Sequence, residues 1–203
     1  MPHIVLLGDS VFDNGAYVGN GPDVISQLRG LLPSGWQATL NAVDGSTTRT
    51  LGAQVAQIPA DATHLVLSVG GNDALMLVDV FTHPVATVGE ALSVMASVVD
   101  EFDRDYRLAV AAVLRTGLPT VLCTIYNGSF PDPEFQGRAT TAAALLNDAI
   151  LRAARERSLA VIDLRLVCSR DEDFANPIEP SSVGGEKIAR AVVEAVAPSA
   201  AFE

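Results

Sequence analysis

Two cysteines, three histidines and an aromatic content of 5% are the scarcities of this chain, and each narrows what it does. Cys123 and Cys168 are too few for a disulfide framework, and Cys123 lies in an apolar run where it packs as a small hydrophobe. Basic residues are scarce too. Thirteen Lys and Arg against 24 Asp and Glu leave a net charge of −11, with the arginines scattered. Nucleic acid and membrane surfaces are therefore not expected as partners, because nucleic acid and anionic lipid need a basic face. No apolar run reaches the ~20 residues that span a bilayer. No basic segment followed by an apolar stretch precedes the first strand-like run, so a cytoplasmic location is expected. His and Cys form no cluster with metal-ligand spacing, and no glycine loop with a Lys is present to cradle phosphate. Neither a metal nor a cofactor is expected.

What is present is a chain of 203 residues, 49% hydrophobic, enough to bury a full core as one domain over 1–203. Five strand-like runs stand out: His3 to Leu7, Ala38 to Val43, His64 to Val69, Thr120 to Tyr126 and Leu159 to Leu164. Helical patterns separate them. Asp23 to Leu32 follows Gly21-Pro22, and Val88, Ala91, Leu92, Met95, Val98, Val99 and Phe102 form one apolar face of a helix running on toward Gly117. Phe135 to Arg157 and Gly185 to Val196 supply two more, the last capped by Ser181 or Ser182. Strands alternating with helices predict an α/β fold, a parallel sheet covered on both faces. Thr82 to Thr87 and Asn127 to Glu134 read as surface loops.

The chemistry lies where the strands end. Ile4-Val5-Leu6-Leu7 runs into Gly8-Asp9-Ser10, delivering a hydroxyl to the carboxyl edge of the sheet, where open α/β sheets build their sites. Leu65 to Val69 runs into Gly70-Gly71-Asn72-Asp73, placing an amide donor beside that hydroxyl, and Gly45 follows the second strand. These three blocks, in this order, resemble those of the SGNH, or GDSL, hydrolases, over nearly the whole length. The resemblance implies a three-layer α/β/α sandwich with a five-stranded parallel sheet in the order 2-1-3-4-5. It further implies attack by Ser10 on the carbonyl of a small-molecule acyl ester. The Ser10 N–H, the Gly45 N–H and the Asn72 side chain would stabilise the oxyanion.

The family's fourth block, Asp, two residues, His, then Pro, meets Asn176-Pro177-Ile178-Glu179-Pro180 here. Glu179 takes the histidine position and Asn176 the aspartate position. His3 and His64 begin their strands, at the opposite edge, and His83 belongs to a surface loop. Three readings of Glu179 follow. It serves as an unusual base, its proton affinity raised by burial and by Asp9 or Asp13. Alternatively the site has lost turnover and holds an acyl or carbohydrate ligand. Or Glu179 caps the last helix or pairs with an arginine such as Arg49. Asp9, Asp13, Asn14, Asp73, Asn127 and Asn176 are candidates for lining the pocket, with Tyr126 at the end of the fourth strand. Asp73 is expected to hold its loop through backbone hydrogen bonds. A more distant alternative is a flavodoxin-like cofactor binder.

Overall fold

The computed structural model describes residues 1–197, so the end of the domain expected over 1–203 lies outside the described residues. Five strands, β1 (His3–Gly8), β2 (Gln37–Leu40), β3 (His64–Ser68), β4 (Thr120–Cys123) and β5 (Ala160–Ile162), form one sheet in the order β2-β1-β3-β4-β5. All pairings are parallel, with Leu6 opposite Leu40 and Val66, and Val121 opposite Val66 and Ala160. The helices are α1 (Val24–Leu31), α2 (Gly52–Val55), α3 (Gly71–Leu75), α4 (Val88–Leu114), α5 (Pro133–Glu156), α6 (Leu164–Val167) and α7 (Ser182–Val196).

The period of two along the strands divides the core. Ile4, Leu6, Val66 and Val121 face one way and pack with α1 and α7 through Val24, Leu28, Ile188 and Val192. Val5, Leu7, Leu65, Leu67 and Leu122 face the other, against Tyr106 and Val110 of α4 and Leu146 and Ile150 of α5. Both faces of the sheet are thus buried, which is why its strands read as unbroken apolar runs rather than alternating ones. Burying each such side chain contributes roughly 1.5–3 kcal/mol.

Element boundaries differ from the expected ones for local reasons. β2 stops at Leu40 rather than Val43 because Asn41 and Ala42 both donate to the Leu6 carbonyl, at 2.9 Å each, an irregularity that turns Val43 outward. β4 stops at Cys123 rather than Tyr126. Beyond it, the Asn147 side chain takes both backbone groups of Ile125, accepting from its N–H at 2.7 Å and donating to its carbonyl at 2.8 Å. β5 is confined to Ala160–Ile162 because Asp163 caps α6. α5 begins two residues earlier than expected, at Pro133, since Asp132 caps it and proline suits the first helical position. Ser181 caps α7, its hydroxyl accepting from Val183 and Gly184. No helix among the described residues is long and apolar enough to cross a membrane.

Candidate active site

Ser10 reaches the sheet edge through a glycine that nothing can replace. Gly8 has φ +132, and a Cβ there would stand 1.7 Å from the Ser68 carbonyl oxygen of the adjacent strand. Two further strand ends converge on the same edge. Gly45, at φ +77, follows β2, and Asn72 lies in the first turn of α3, after Gly70 at φ +123. Hydrogen bonds tie these segments together. The Asn72 Nδ2 donates to the Ser46 carbonyl at 3.0 Å, and Asp73 accepts from the Thr48 N–H and hydroxyl at 3.1 and 2.6 Å. Among the described residues, neither the Ser10 N–H nor the Gly45 N–H donates to a protein acceptor, so both remain available.

Sequence reasoning did not single out Gln54, the buried side chain that joins these pieces. Its Oε1 accepts from the Gly8 N–H at 2.8 Å, and its Nε2 donates to the Gly8 carbonyl at 2.7 Å and to the Ser46 hydroxyl at 3.0 Å. The strand that carries Ser10 and the loop that carries Gly45 are therefore held in one geometry. A lone glutamine on a four-residue helix carries no sequence signal for such a role.

Glu179 lies on a tight loop whose backbone is fastened at every turn. The Asn176 Oδ1 accepts from the Ile178 and Glu179 N–H groups at 3.0 Å each, and the Glu179 carbonyl accepts from Ala175 at 2.8 Å. The Tyr126 hydroxyl donates to the Ile178 carbonyl at 2.5 Å, and Asn14 Nδ2 to that of Pro180 at 3.1 Å. Ser129 donates to the Pro177 carbonyl at 2.9 Å, while Gly128, at φ +68, leaves that oxygen room. The Glu179 side chain is buried, and its Oε2 has no hydrogen-bond partner among the described residues.

Burial raises the Glu179 pKa above its ordinary value, while the Ser10 hydroxyl, close enough to donate toward the carboxylate, pulls it back. Asp9, almost fully buried, is pushed up to about 7 by burial, with the neighbouring charges of Glu179 and Asp73 adding to it. Both carboxyls and Ser10 form the polar end of a cavity of ≈ 100 Å³, and no Lys or Arg lines it.

Ser10, Asp9, Asn72, Glu179 and Asn127 line this cavity, whereas Gly45 stands beside it on the loop bonded to Asn72 and Gln54. Asp13, Asn14, Asp73 and Asn176 do not line it. Each is occupied in holding backbone: Asp13 accepts from Asp44, Asn14 from Val24, Asp73 from Thr48, and Asn176 from its own loop. Asn176 therefore fixes the loop that carries Glu179 and does not orient the Glu179 side chain. Nor is Glu179 held by Arg49, which pairs with Asp105 at 2.6 Å and Glu101 at 2.8 Å. The cap of α7 is Ser181. His3 and His64 are at the far edge, bonded to Thr39 and Thr63, and His83 is exposed and outside the cavity lining.

Comparison with known proteins agrees with this frame. No curated protein sequence matches the chain. In overall structure it is similar to the extracellular lipase of Streptomyces rimosus, at TM-score 0.70 and 15% identity, covering 97% of this chain and 100% of that one. It is likewise similar to phospholipase A1 of Streptomyces albidoflavus, at TM-score 0.69 and 16% identity, covering 96% and 99%. A third likeness is to an acetylxylan esterase of Geobacillus stearothermophilus, described as a catalytic mutant with a histidine replaced by alanine. There the TM-score is 0.68 at 17% identity, covering 97% and 94%. At these identities the likenesses establish the fold. The model of the GDSL-like lipase/acylhydrolase family matches residues 6–184, and the chain belongs to that family of ester-cleaving hydrolases.

Proposed function

We propose that this chain cleaves acyl esters with Ser10 as nucleophile and Glu179, in place of histidine, as general base. The observation that carries the reading is the buried Glu179 carboxyl beside the Ser10 hydroxyl, with one oxygen left unpartnered. Unpartnered buried carboxylate oxygens are costly, and a proton accepted from substrate chemistry relieves the cost. Deprotonated Glu179 takes the Ser10 Oγ proton as Oγ bonds to the carbonyl carbon. The oxyanion accepts hydrogen bonds from the Ser10 and Gly45 N–H groups and the Asn72 amide, whose unused N–H is free of the Ser46 carbonyl. Collapse breaks the ester C–O bond, and the departing alcohol takes the proton from Glu179. Water then attacks the acyl-enzyme, giving its proton to Glu179, and collapse returns that proton to Ser10 as the acid leaves. A carboxylate base needs no orienting aspartate, consistent with Asn176 being spent on backbone.

A second reading, ligand binding without turnover, is favoured by one fact: the Geobacillus esterase has a catalytic-mutant form defined by a lost histidine, and this chain has glutamate at the matching block. The two readings separate on the enzyme itself. Fluorophosphonate is expected to label wild type on Ser10, read by mass spectrometry of the peptide, and to leave Ser10→Ala unlabelled. Hydrolysis of short nitrophenyl esters is expected to vanish in Ser10→Ala and to fall two to three orders of magnitude in Asn72→Ala, about the worth of one oxyanion donor. Activity should rise with pH through a single carboxylate ionisation above the ordinary glutamate value, because only the deprotonated form accepts a proton. Glu179→Gln retaining wild-type turnover would sink the base assignment. Absent labelling of a folded wild type would favour binding without turnover.

A further inference from the structure

We propose that Lys187 of α7 is a positioning residue for Glu179, acting through its ion pair with the buried Asp173. The inference rests on the reading of Glu179 as the general base. Neither Lys187 nor Asp173 lines the cavity. Their link to the reaction is the narrow arm of chain between the 3-10 turn at Asp171–Asp173 and the start of α7. The arm doubles back on itself. The Asp173 carbonyl accepts from the Ser181 N–H at 2.8 Å, Phe174 pairs antiparallel with Pro180, and the Ala175 N–H donates to the Glu179 carbonyl at 2.8 Å. Both backbone groups of Glu179 are therefore bonded to the outgoing half of the arm, the carbonyl to Ala175 and the N–H to Asn176. Where that half goes, Glu179 follows.

The two halves are held differently. From the sheet edge, Ser129, Tyr126 and Asn14 grip the carbonyls of Pro177, Ile178 and Pro180. The returning half then runs into α7, whose Ile188, Ala189 and Val192 are buried in the core. The outgoing half rests on the Asp173 side chain. Its Oδ2 accepts from the Ser169 and Arg170 N–H groups at 3.0 Å each, and its Oδ1 is bonded to Lys187 Nζ at 2.5 Å. The fit against α7 is tight, since a Cβ on Gly184 would stand 2.1 Å from the Asp173 carbonyl oxygen. Among the described residues Lys187 is the one cation paired with Asp173, and Arg170 turns instead to Glu172 at 3.5 Å.

Charge makes the pair more than a fastening. Burial by itself would push the Asp173 carboxyl up, yet the Lys187 ammonium and the Arg170 and Ser169 N–H groups hold it below the ordinary carboxylate value. Asp173 is thus a buried anion whose compensating cation is Lys187. Without that cation the carboxylate is left uncompensated. It regains water only by drawing its backbone outward, and the arm moves with it. A displacement of about 1 Å at a reacting group costs on the order of a hundredfold in rate.

The test compares Lys187→Met, Lys187→Arg and the double variant Asp173→Asn with Lys187→Met, using nitrophenyl esters and amide hydrogen exchange. Lys187→Met should lose roughly tenfold to a hundredfold in kcat, with KM changed less than about twofold. The ionisation assigned to Glu179 should move down toward the ordinary glutamate value, because the carboxyl gains water. Loss of a positive charge alone would move it up, so the sign separates displacement from a change of field. Lys187→Arg keeps the charge and the double variant leaves none uncompensated, so both should recover most of the turnover. The Ala175 and Glu179 amide protons should exchange faster in Lys187→Met than in wild type, a readout that needs no turnover. Should Lys187→Met not fold, Lys187→Gln carries the same readouts. If Glu179→Gln proves fully active, the base assignment falls, while faster exchange still upholds the hold of Lys187 on Glu179. Unchanged exchange in a folded Lys187→Met protein overturns the positioning role, and so does a wild-type ionisation where Glu179→Gln is inactive.

Discussion

At the scale of the residue, the site depends on side chains whose work is to hold other groups still. Gln54 bonds to both backbone groups of Gly8 and reaches the Ser46 hydroxyl, so one amide sets the spacing between the strand that leads to Ser10 and the loop that carries Gly45. Gln54→Leu keeps the volume and removes these bonds. It leaves the buried Gly8 N–H unsatisfied, at about 1–3 kcal/mol, while the Gly8 carbonyl keeps the Val43 N–H. The expected outcome is a melting temperature lowered by roughly 3–10 °C. Ester turnover measured well below that temperature should also fall, through kcat more than KM. A variant that melts lower but turns over normally would show Gln54 to be a purely structural clamp. Ser10, Asn72 and Glu179 could be read from the sequence because each closes an apolar run or falls within a spaced block. Gln54 could not, because an amide's partners depend on which strand end the fold brings to it.

At the scale of the element, the strand ends matter more than the strands. β1 and β3 pack so closely at Gly8 and Ser68 that there is no room for any side chain at position 8. Gly8→Ala adds a methyl 1.7 Å from a carbonyl oxygen at φ +132, and the strand must separate to hold it. Destabilisation of at least ~3 kcal/mol is expected, read as a lower urea midpoint at unchanged slope. The strands and the long helices were legible because burial on both faces writes continuous apolar runs and a 3.6-residue period into the chain, whereas the strand order followed only from the resemblance to the GDSL hydrolases. The short helices α2, α3 and α6 were not, since four or five residues cannot display a period. The early stops of β2 and β4 were hidden for another reason. They are imposed by a shared carbonyl at Leu6 and by the Asn147 amide, both of them tertiary contacts.

For the whole molecule, the acidic balance reaches into the core. Asp9 is buried beside Glu179 with no cation lining the cavity, and its pKa is pushed from 3.8 up to about 7. The folded state therefore holds this proton more tightly than the unfolded chain does. The stability linked to it is fully present below about pH 4 and is lost as the pH rises through about 7. A difference of about three units corresponds to roughly 4 kcal/mol at most. Wild type should lose stability in urea between pH 5 and pH 8, and Asp9→Asn, which keeps an acceptor for the Val11 N–H, should lose markedly less. Identical slopes for the two proteins would show that Asp9 carries no such proton. The clamps at the sheet edge bear on motion as well. Gln54 belongs to α2 and Asn147 to α5, and both helices pack on the same face of the sheet. That layer cannot peel back without releasing Gly8 and Ile125 together, although one ends β1 and the other lies just past β4, with β3 between those strands. Their two amide protons should exchange with solvent as a pair, at the rate at which the layer lifts, timing how often the cavity opens wide.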